Sequence, residues 1–110
     1  MPMLRVKGIP QEEVMKESKV LIDELVEIIE CPRDYFTIEL INNTFIMDGE
    51  VVVPPTIIEV AWFDRGQEVQ DKVAKAITSH FKKDRECLDV VFQGLEHKNY
   101  YENGEHFSKI

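Results

Sequence analysis

The chain has 110 residues, the size of one domain, and its 44% hydrophobic and 31% charged residues are typical of a globular protein. A net charge of −8, from thirteen Lys and Arg against twenty-one Asp and Glu, argues against nucleic acid or an anionic membrane as a partner. Two cysteines and the lack of any signal-like or membrane-length apolar run indicate a soluble protein of the reducing cytoplasm.

The first predicted element is a half-buried strand over residues 2–8, with Leu4 and Val6 on one face. Pro2 stands directly behind Met1, and removal of the methionine would expose a secondary amine that is able to act as a base. Generic α-amino groups titrate at about 7.7–8.0, within reach of neutral pH. The alternative is that Pro2 is only the first residue of a strand, where proline is tolerated.

A helix is predicted from Pro10 to about Ile29 by one apolar stripe, formed by Val14, Leu21, Leu25 and Ile28. Cys31-Pro32 ends it, because a residue before proline is disfavoured in the helical region. Alternation then predicts a second strand over residues 35–41.

The middle of the chain reads as a hairpin over residues 44–53, centred on Asp48-Gly49. A strand over residues 56–63 follows, and one of its faces carries Ile58, Val60 and Trp62. Asp64 and Gln67 have the spacing of a capping box, which predicts the start of a second helix that ends near Lys83.

The stripe of the second helix is formed by Val69, Val73, Ile77 and Phe81. The last main strand is predicted over residues 88–92. Beyond it, the tail over residues 99–107 combines aromatic residues with an Asn103-Gly104 turn signal.

Both halves of the chain have the order strand, helix, strand, at an offset of about 55 residues. This predicts one domain over residues 1–110, built from pseudo-repeats of about 1–53 and 54–110. Two βαβ units with right-handed crossovers place both helices on one side of a sheet. We therefore expect an α+β fold with one mixed four-stranded sheet, two helices on one face and a small hairpin.

The other face of this sheet is predicted to be uncovered and to mix apolar with charged residues, namely Met3, Ile41, Ile57, Ala61, Phe63 and Val91 with Arg5, Lys7, Glu39, Glu59 and Asp89. A solvated face carries fewer apolar groups, and a monomer core carries fewer charges. This mixture predicts a subunit interface and hence a homo-oligomer.

Four motifs carry a resemblance to a known family: the Met-Pro-x-Leu-Arg-x-x-Gly opening and the segments 31–36, 62–67 and 99–107. With the internal repeat, they make the chain similar to the tautomerase superfamily. That superfamily includes 4-oxalocrotonate tautomerase (4-OT), carboxymethyl-hydroxymuconate isomerase and macrophage migration inhibitory factor. The chain resembles most closely an uncharacterised bacterial family within the superfamily.

The resemblance implies a homotrimer whose sheets surround a central channel, with active sites at the subunit boundaries. Processed Pro2 would be the general base of a keto–enol tautomerase acting on a small α-keto or enol acid. Arg65 would hold the substrate carboxylate, through the correspondence between the two repeats. A second arginine of the family has no counterpart, since Thr37 and Glu39 stand near its position.

Structural alternatives remain open for each of these residues. Arg65 would otherwise pair with Asp64 or another acid at the helix start. Tyr100, Tyr101 and Asn103 either donate hydrogen bonds to substrate from a neighbouring subunit or only order the tail.

The other reactive side chains are expected to be structural. The histidines lack metal-ligand spacing, and no phosphate loop, nucleophile elbow or carboxylate pair is present, so neither a metal nor a cofactor is expected. The alternative to the enzyme is a non-catalytic oligomeric binding or scaffold protein with the same fold.

Overall fold

Two helices and a four-stranded sheet make up most of the chain, for which the computed structural model describes residues 2–107. In chain order the elements are β1 (Met3–Lys7), α1 (Gln11–Ile29), β2 (Thr37–Ile41), β3 (Phe45–Met47), β4 (Glu50–Val52), β5 (Ile57–Trp62), α2 (Gln67–Phe81), β6 (Asp89–Gly94), β7 (Tyr101–Glu102) and β8 (Glu105–His106). Short 3₁₀ turns lie at Arg33–Tyr35 and His97–Asn99.

The sheet has the order β2-β1-β5-β6. Each repeat contributes a parallel pair, β1 with β2 and β5 with β6, and the two repeats meet in the antiparallel pair of β1 with β5. The mixed sheet and the repeated βαβ plan predicted from the sequence are confirmed.

The core lies between the sheet and the two helices. Leu4, Val6, Ile58 and Val60 from the central strands are at most 1% exposed, as their alternation predicts. The helix stripes pack onto them through Leu21, Leu25, Val73, Ile77 and Phe81, all fully buried. Burial of each such side chain stabilises the fold by about 1.5–3 kcal/mol.

The start of α2 differs from the prediction, because the capping box from Asp64 to Gln67 does not form. The Asp64 carboxylate instead accepts a hydrogen bond from the Gly66 N–H at 2.8 Å, and Gly66 precedes the helix with a φ of 93°. This tight turn uses the conformational freedom of glycine and leaves the helix without a side-chain cap. The helix also ends earlier, at Phe81, and Lys83 adopts a φ of 45°.

Two small hairpins project beyond the main sheet. Asp48-Gly49 between β3 and β4, and Asn103-Gly104 between β7 and β8, all have positive φ, as in a type I′ turn. The first hairpin was predicted, and its apolar side chains are exposed at Ile46, Met47, Val51 and Val53. Within residues 2–107, neither helix is long and apolar enough to cross a membrane.

Candidate active site

One edge of the sheet brings together the start of the first repeat and the ends of two strands of the second. The strand register places Met3 of β1 beside Ala61 of β5, and Ala61 beside Gln93 of β6. One or two residues further along these strands, Pro2, Phe63 and Leu95 therefore lie at the same edge of the sheet, which we call the Pro2 edge. The Leu95 N–H donates to the Trp62 carbonyl at 2.7 Å, which holds the chain close to this edge after β6.

Pro2 is buried at this edge. Its carbonyl accepts a hydrogen bond from the Thr37 N–H at 3.2 Å, which ties it to the first residue of β2. Its nitrogen would be a base only as a free amine, because an amide nitrogen has no lone pair available for a proton. Met1 lies outside the described residues.

Arg65 follows β5 and lies at the end of α1. Its Nη1 donates to the main-chain oxygen of Ile29 at 3.2 Å, where the carbonyls of the last helical turn attract cations. Asp64 is engaged with Gly66 instead, and no ion pair between residues 2 and 107 involves Arg65. The Arg65 side chain is exposed, and among the described residues its guanidinium donates only to the Ile29 carbonyl.

Cys31 lies within the electrostatic reach of this guanidinium. Burial raises the pKa of the Cys31 thiol, and the positive charge of Arg65 opposes that rise. Cys31 is 8% exposed and packs in the core, so it remains a protonated, structural thiol at neutral pH.

An aromatic cluster stands on the same edge around Phe63. The His97 ring stacks on Phe63 at a centroid distance of 4.2 Å and an interplanar angle of 13°. The ring centroids of Tyr100 and Phe107 each lie 5.5 Å from the ring centroid of Phe63 and 4.7 Å from one another. The sequence placed Phe63 on the uncovered face and marked an aromatic tail, but it gave no signal that His97 would stack there.

The tail residues predicted for the site separate into two groups. Tyr100 belongs to the aromatic cluster at the Pro2 edge. Tyr101 is 62% exposed and contacts His106 across the β7–β8 hairpin, and Asn103 forms the turn of that hairpin with a φ of 53°. Any contact of Tyr101 or Asn103 with a substrate stays a prediction.

Four cavities lie away from the Pro2 edge: beside Gly8 and Asn43, between α1 and β2, between the two helices, and around Arg85. None of these four is lined by Pro2, Arg65 or Tyr100. Across the described part of the chain, no cluster of three or more His, Cys, Asp or Glu is arranged to hold a metal ion.

This fold is that of the tautomerase superfamily. A structure described as the Q0 fused 4-OT wild-type symmetric trimer superposes with a TM-score of 0.72, at 17% identity over 97% of this chain and 95% of that one. A crystal structure of a protein inactivated by 2-oxo-3-pentynoate gives a TM-score of 0.75, at 13% identity over 99% and 98% of the two chains. The resemblance seen in the sequence is thus confirmed for the fold.

Within this fold, residues 1–106 match the family described as Domain of unknown function (DUF1904), and the chain belongs to it. A member from Sebaldella termitidis is 42% identical over 97% of this chain and 100% of that one, with a TM-score of 0.90. A Vibrio cholerae protein of unknown function is 34% identical over 96% and 87%, with a TM-score of 0.84. No curated protein matches the chain.

Proposed function

We infer that this protein is a cytoplasmic, homotrimeric tautomerase that interconverts the keto and enol forms of a small α-keto or enol acid. The base is the amino-terminal nitrogen of Pro2 after removal of Met1. One observation carries the proposal: Pro2 and Arg65, from the two repeats, come to the same edge of a tautomerase-fold sheet, and Arg65 has no acidic partner there among the described residues.

The proposed reaction moves one proton and needs no co-reactant. The neutral Pro2 amine takes a proton from the enol oxygen, and the hydroxyl-bearing carbon becomes the carbonyl carbon. The prolinium then returns the proton to the other carbon of the former double bond. An acid–base group positioned in this way contributes about 10²–10⁴-fold to the rate. Because substrate and product are isomers, the reaction needs no cofactor to supply or remove atoms or electrons.

Arg65 has two roles in this proposal. Its planar guanidinium binds a carboxylate through two parallel hydrogen bonds, which orients an α-keto acid toward Pro2. A cation close to the amine also favours its neutral form, which is the form that accepts a proton. The hydrogen bond to Ile29 leaves the remaining N–H groups free for this purpose.

In the proposal, the aromatic cluster around Phe63, which lies at the same edge of the sheet, supplies an apolar wall of the site. Apolar surroundings strengthen the contact between a guanidinium and a carboxylate, because the local dielectric constant is lower than that of water. Tyr100 lies in this wall, and in the proposal it donates a hydrogen bond to the substrate.

The uncovered sheet face supports the proposed trimer. Four of its five charged residues are already paired, Lys7 with Glu59 at 2.7 Å and Arg5 with Glu39 at 3.6 Å, which reduces the cost of burying them. Val91 on the same face is 51% exposed in the single chain. A neighbouring copy would cover this face and bring Tyr101 and Asn103 of its tail to the open site.

The direct test is the rate of enol-to-keto conversion of a simple α-keto acid. The native chain, with intact mass showing that Met1 is absent, should exceed Pro2→Ala by at least about 10²-fold. Arg33→Gln is a matched control for Arg65→Gln, because Arg33 lies in the connection between α1 and β2 and pairs with Asp23 of α1. Equal rates for the native chain and Pro2→Ala would contradict the proposal.

A non-catalytic oligomeric binding or scaffold protein is the second candidate. It is favoured by the missing counterpart of the family's second arginine: of the two positions near where that arginine would stand, one is Thr37 and the other is Glu39, which pairs with Arg5. That protein would form the same trimer in solution and show no turnover that depends on Pro2.

A further inference from the structure

His80 lies between two carboxylates on the outer side of the helix pair, away from the Pro2 edge. Its Nδ1 is 2.9 Å from Glu17 Oε1, and its Nε2 is 2.8 Å from Glu24 Oε1. Glu17 and Glu24 are two helical turns apart on α1, so they share a face, and the imidazole of α2 fits between them. The His80 side chain is only 13% exposed.

These two contacts are satisfied together by one protonation state. A neutral imidazole has a single N–H and can donate to only one carboxylate, which leaves a ring lone pair facing the other. The imidazolium donates to both. Burial would lower the pKa of His80, but the hydrogen bonds and charges of Glu17 and Glu24 outweigh burial, and the pKa lies above its usual value.

Lysine, arginine and glutamate side chains surround His80. Lys83 contacts Glu17 at 3.2 Å and Glu13 at 3.9 Å, and Arg85 binds Glu13 through both terminal nitrogens at 2.9 Å. On the other side, Glu24 lines a groove with Lys72 and Lys75. Histidine is the residue type whose ordinary pKa lies closest to neutral pH, so His80 is the switch of this cluster.

We propose that His80 is a pH-sensitive clamp, which holds the last turns of α2 against α1 through two carboxylates while its imidazole carries a proton and through only one of them when the proton leaves. The adjoining Phe81 is fully buried in the core, so loss of one bond loosens the packing of the end of α2. Because the pKa of His80 is raised in the folded state, this stabilisation is complete below the pKa that His80 has in the unfolded chain. It is lost as the pH rises through the folded-state pKa of His80.

The test uses the full chain and two readouts. NMR titration should give the His80 imidazole a pKa above that of the histidines in the urea-unfolded chain. Hydrogen exchange at residues 76–81, corrected for intrinsic rates, should lose protection across the same pH range, by up to about tenfold for each pH unit between the two pKa values. In His80→Gln, protection should no longer fall across this pH range. In His97→Gln, which changes a histidine of the aromatic cluster around Phe63, protection should fall as in the native chain.

Two outcomes would overturn the clamp. The first is a His80 pKa at or below that of the unfolded chain, measured in the native protein and therefore independent of any variant. The second is the same pH dependence of protection in His80→Gln as in the native chain. If His80→Gln does not fold, Glu24→Gln replaces it: a lowered His80 pKa supports the clamp, and an unchanged one contradicts it.

Discussion

Arg65 donates a hydrogen bond to the main-chain oxygen of Ile29, at 3.2 Å from Nη1, and so connects the turn before α2 to the last residue of α1. The position of the proposed substrate-binding cation therefore depends on how the two helices pack. The contact joins the two repeats at the edge where Pro2 begins the sheet.

Substitution of Arg65 should separate charge from geometry. Arg65→Lys keeps the cation but loses the paired donors, and we expect kcat/KM for an enol acid to fall about 10-fold, against about 100-fold or more for Arg65→Gln. The free energy of unfolding should change by less than about 1 kcal/mol in both, because the side chain is exposed. Steady-state kinetics and urea unfolding measure the two effects. Full activity of Arg65→Gln would exclude its proposed role.

Gly8 should not tolerate a side chain. It has a φ of 81°, and an added Cβ would lie 2.3 Å from the Pro55 carbonyl oxygen. Gly8→Ala should therefore destabilise the fold by about 2 kcal/mol or more. Gly49 is the matched control, since its φ is 79° and nothing lies within 4 Å of its added Cβ. Urea unfolding should show a smaller loss for Gly49→Ala, and equal losses would mean that the Pro55 contact is unimportant.

The ion pair of Glu13 and Arg85 should contribute to stability at neutral pH and fail in acid. The hydrogen bond from Arg85 is the main cause that lowers the pKa of Glu13, with the charges of Arg85 and Lys83 adding to it. Because the folded-state pKa is depressed, the stabilisation is present above the unfolded pKa of about 4.3 and is lost as the pH falls through the folded value. The free energy of unfolding, measured from pH 6 to pH 2, should fall less in Glu13→Gln than in the native chain.

Glu12→Gln is the control for that series, because Glu12 is an exposed neighbour on the same turn of α1. The free energy of unfolding of Glu12→Gln should fall between pH 6 and pH 2 as much as that of the native chain. A native-like profile in Glu13→Gln would show that the Arg85 contact adds nothing to stability.

Phe63 should hold the tail against the Pro2 edge. Phe63→Ala removes the ring that His97, Tyr100 and Phe107 share, so the segment around Lys98, whose side chain is already exposed, should unfold locally more often. Limited trypsin digestion should cleave after Lys98 several-fold faster than in the native chain. Phe45→Ala, which shortens a half-buried ring in the β3–β4 hairpin, is the control and should leave that cleavage rate unchanged.

The main elements could be predicted because their signals are local. Leu4 and Val6 alternate on one strand, and Val73, Ile77 and Phe81 recur at helical spacing, so burial follows from neighbours in the sequence. The start of α2 could not be predicted in the same way. The Asp64 carboxylate could accept a hydrogen bond from the N–H of Gly66 or of Gln67, and the turn made by Gly66 selects the nearer donor, Gly66 itself.

The candidate site could be predicted only in part, because its contacts join distant residues. Pro2 and Arg65 were found through a motif and the internal repeat. The stacking of His97 on Phe63 and the bond from Arg65 to Ile29 have no periodic signal, since they depend on where the tail and the helices come to rest. The contacts of His80 likewise span 63 and 56 residues of sequence.

Covalent labelling with 2-oxo-3-pentynoate tests directly whether Pro2 is the free, reactive amine that we propose. Addition of the amine to the conjugated alkyne forms one carbon–nitrogen bond and expels nothing. We expect a chain without Met1 that gains the mass of one reagent molecule on Pro2, and no such label in Pro2→Ala. A retained Met1, or labelling that leaves Pro2 unmodified, would contradict this proposal.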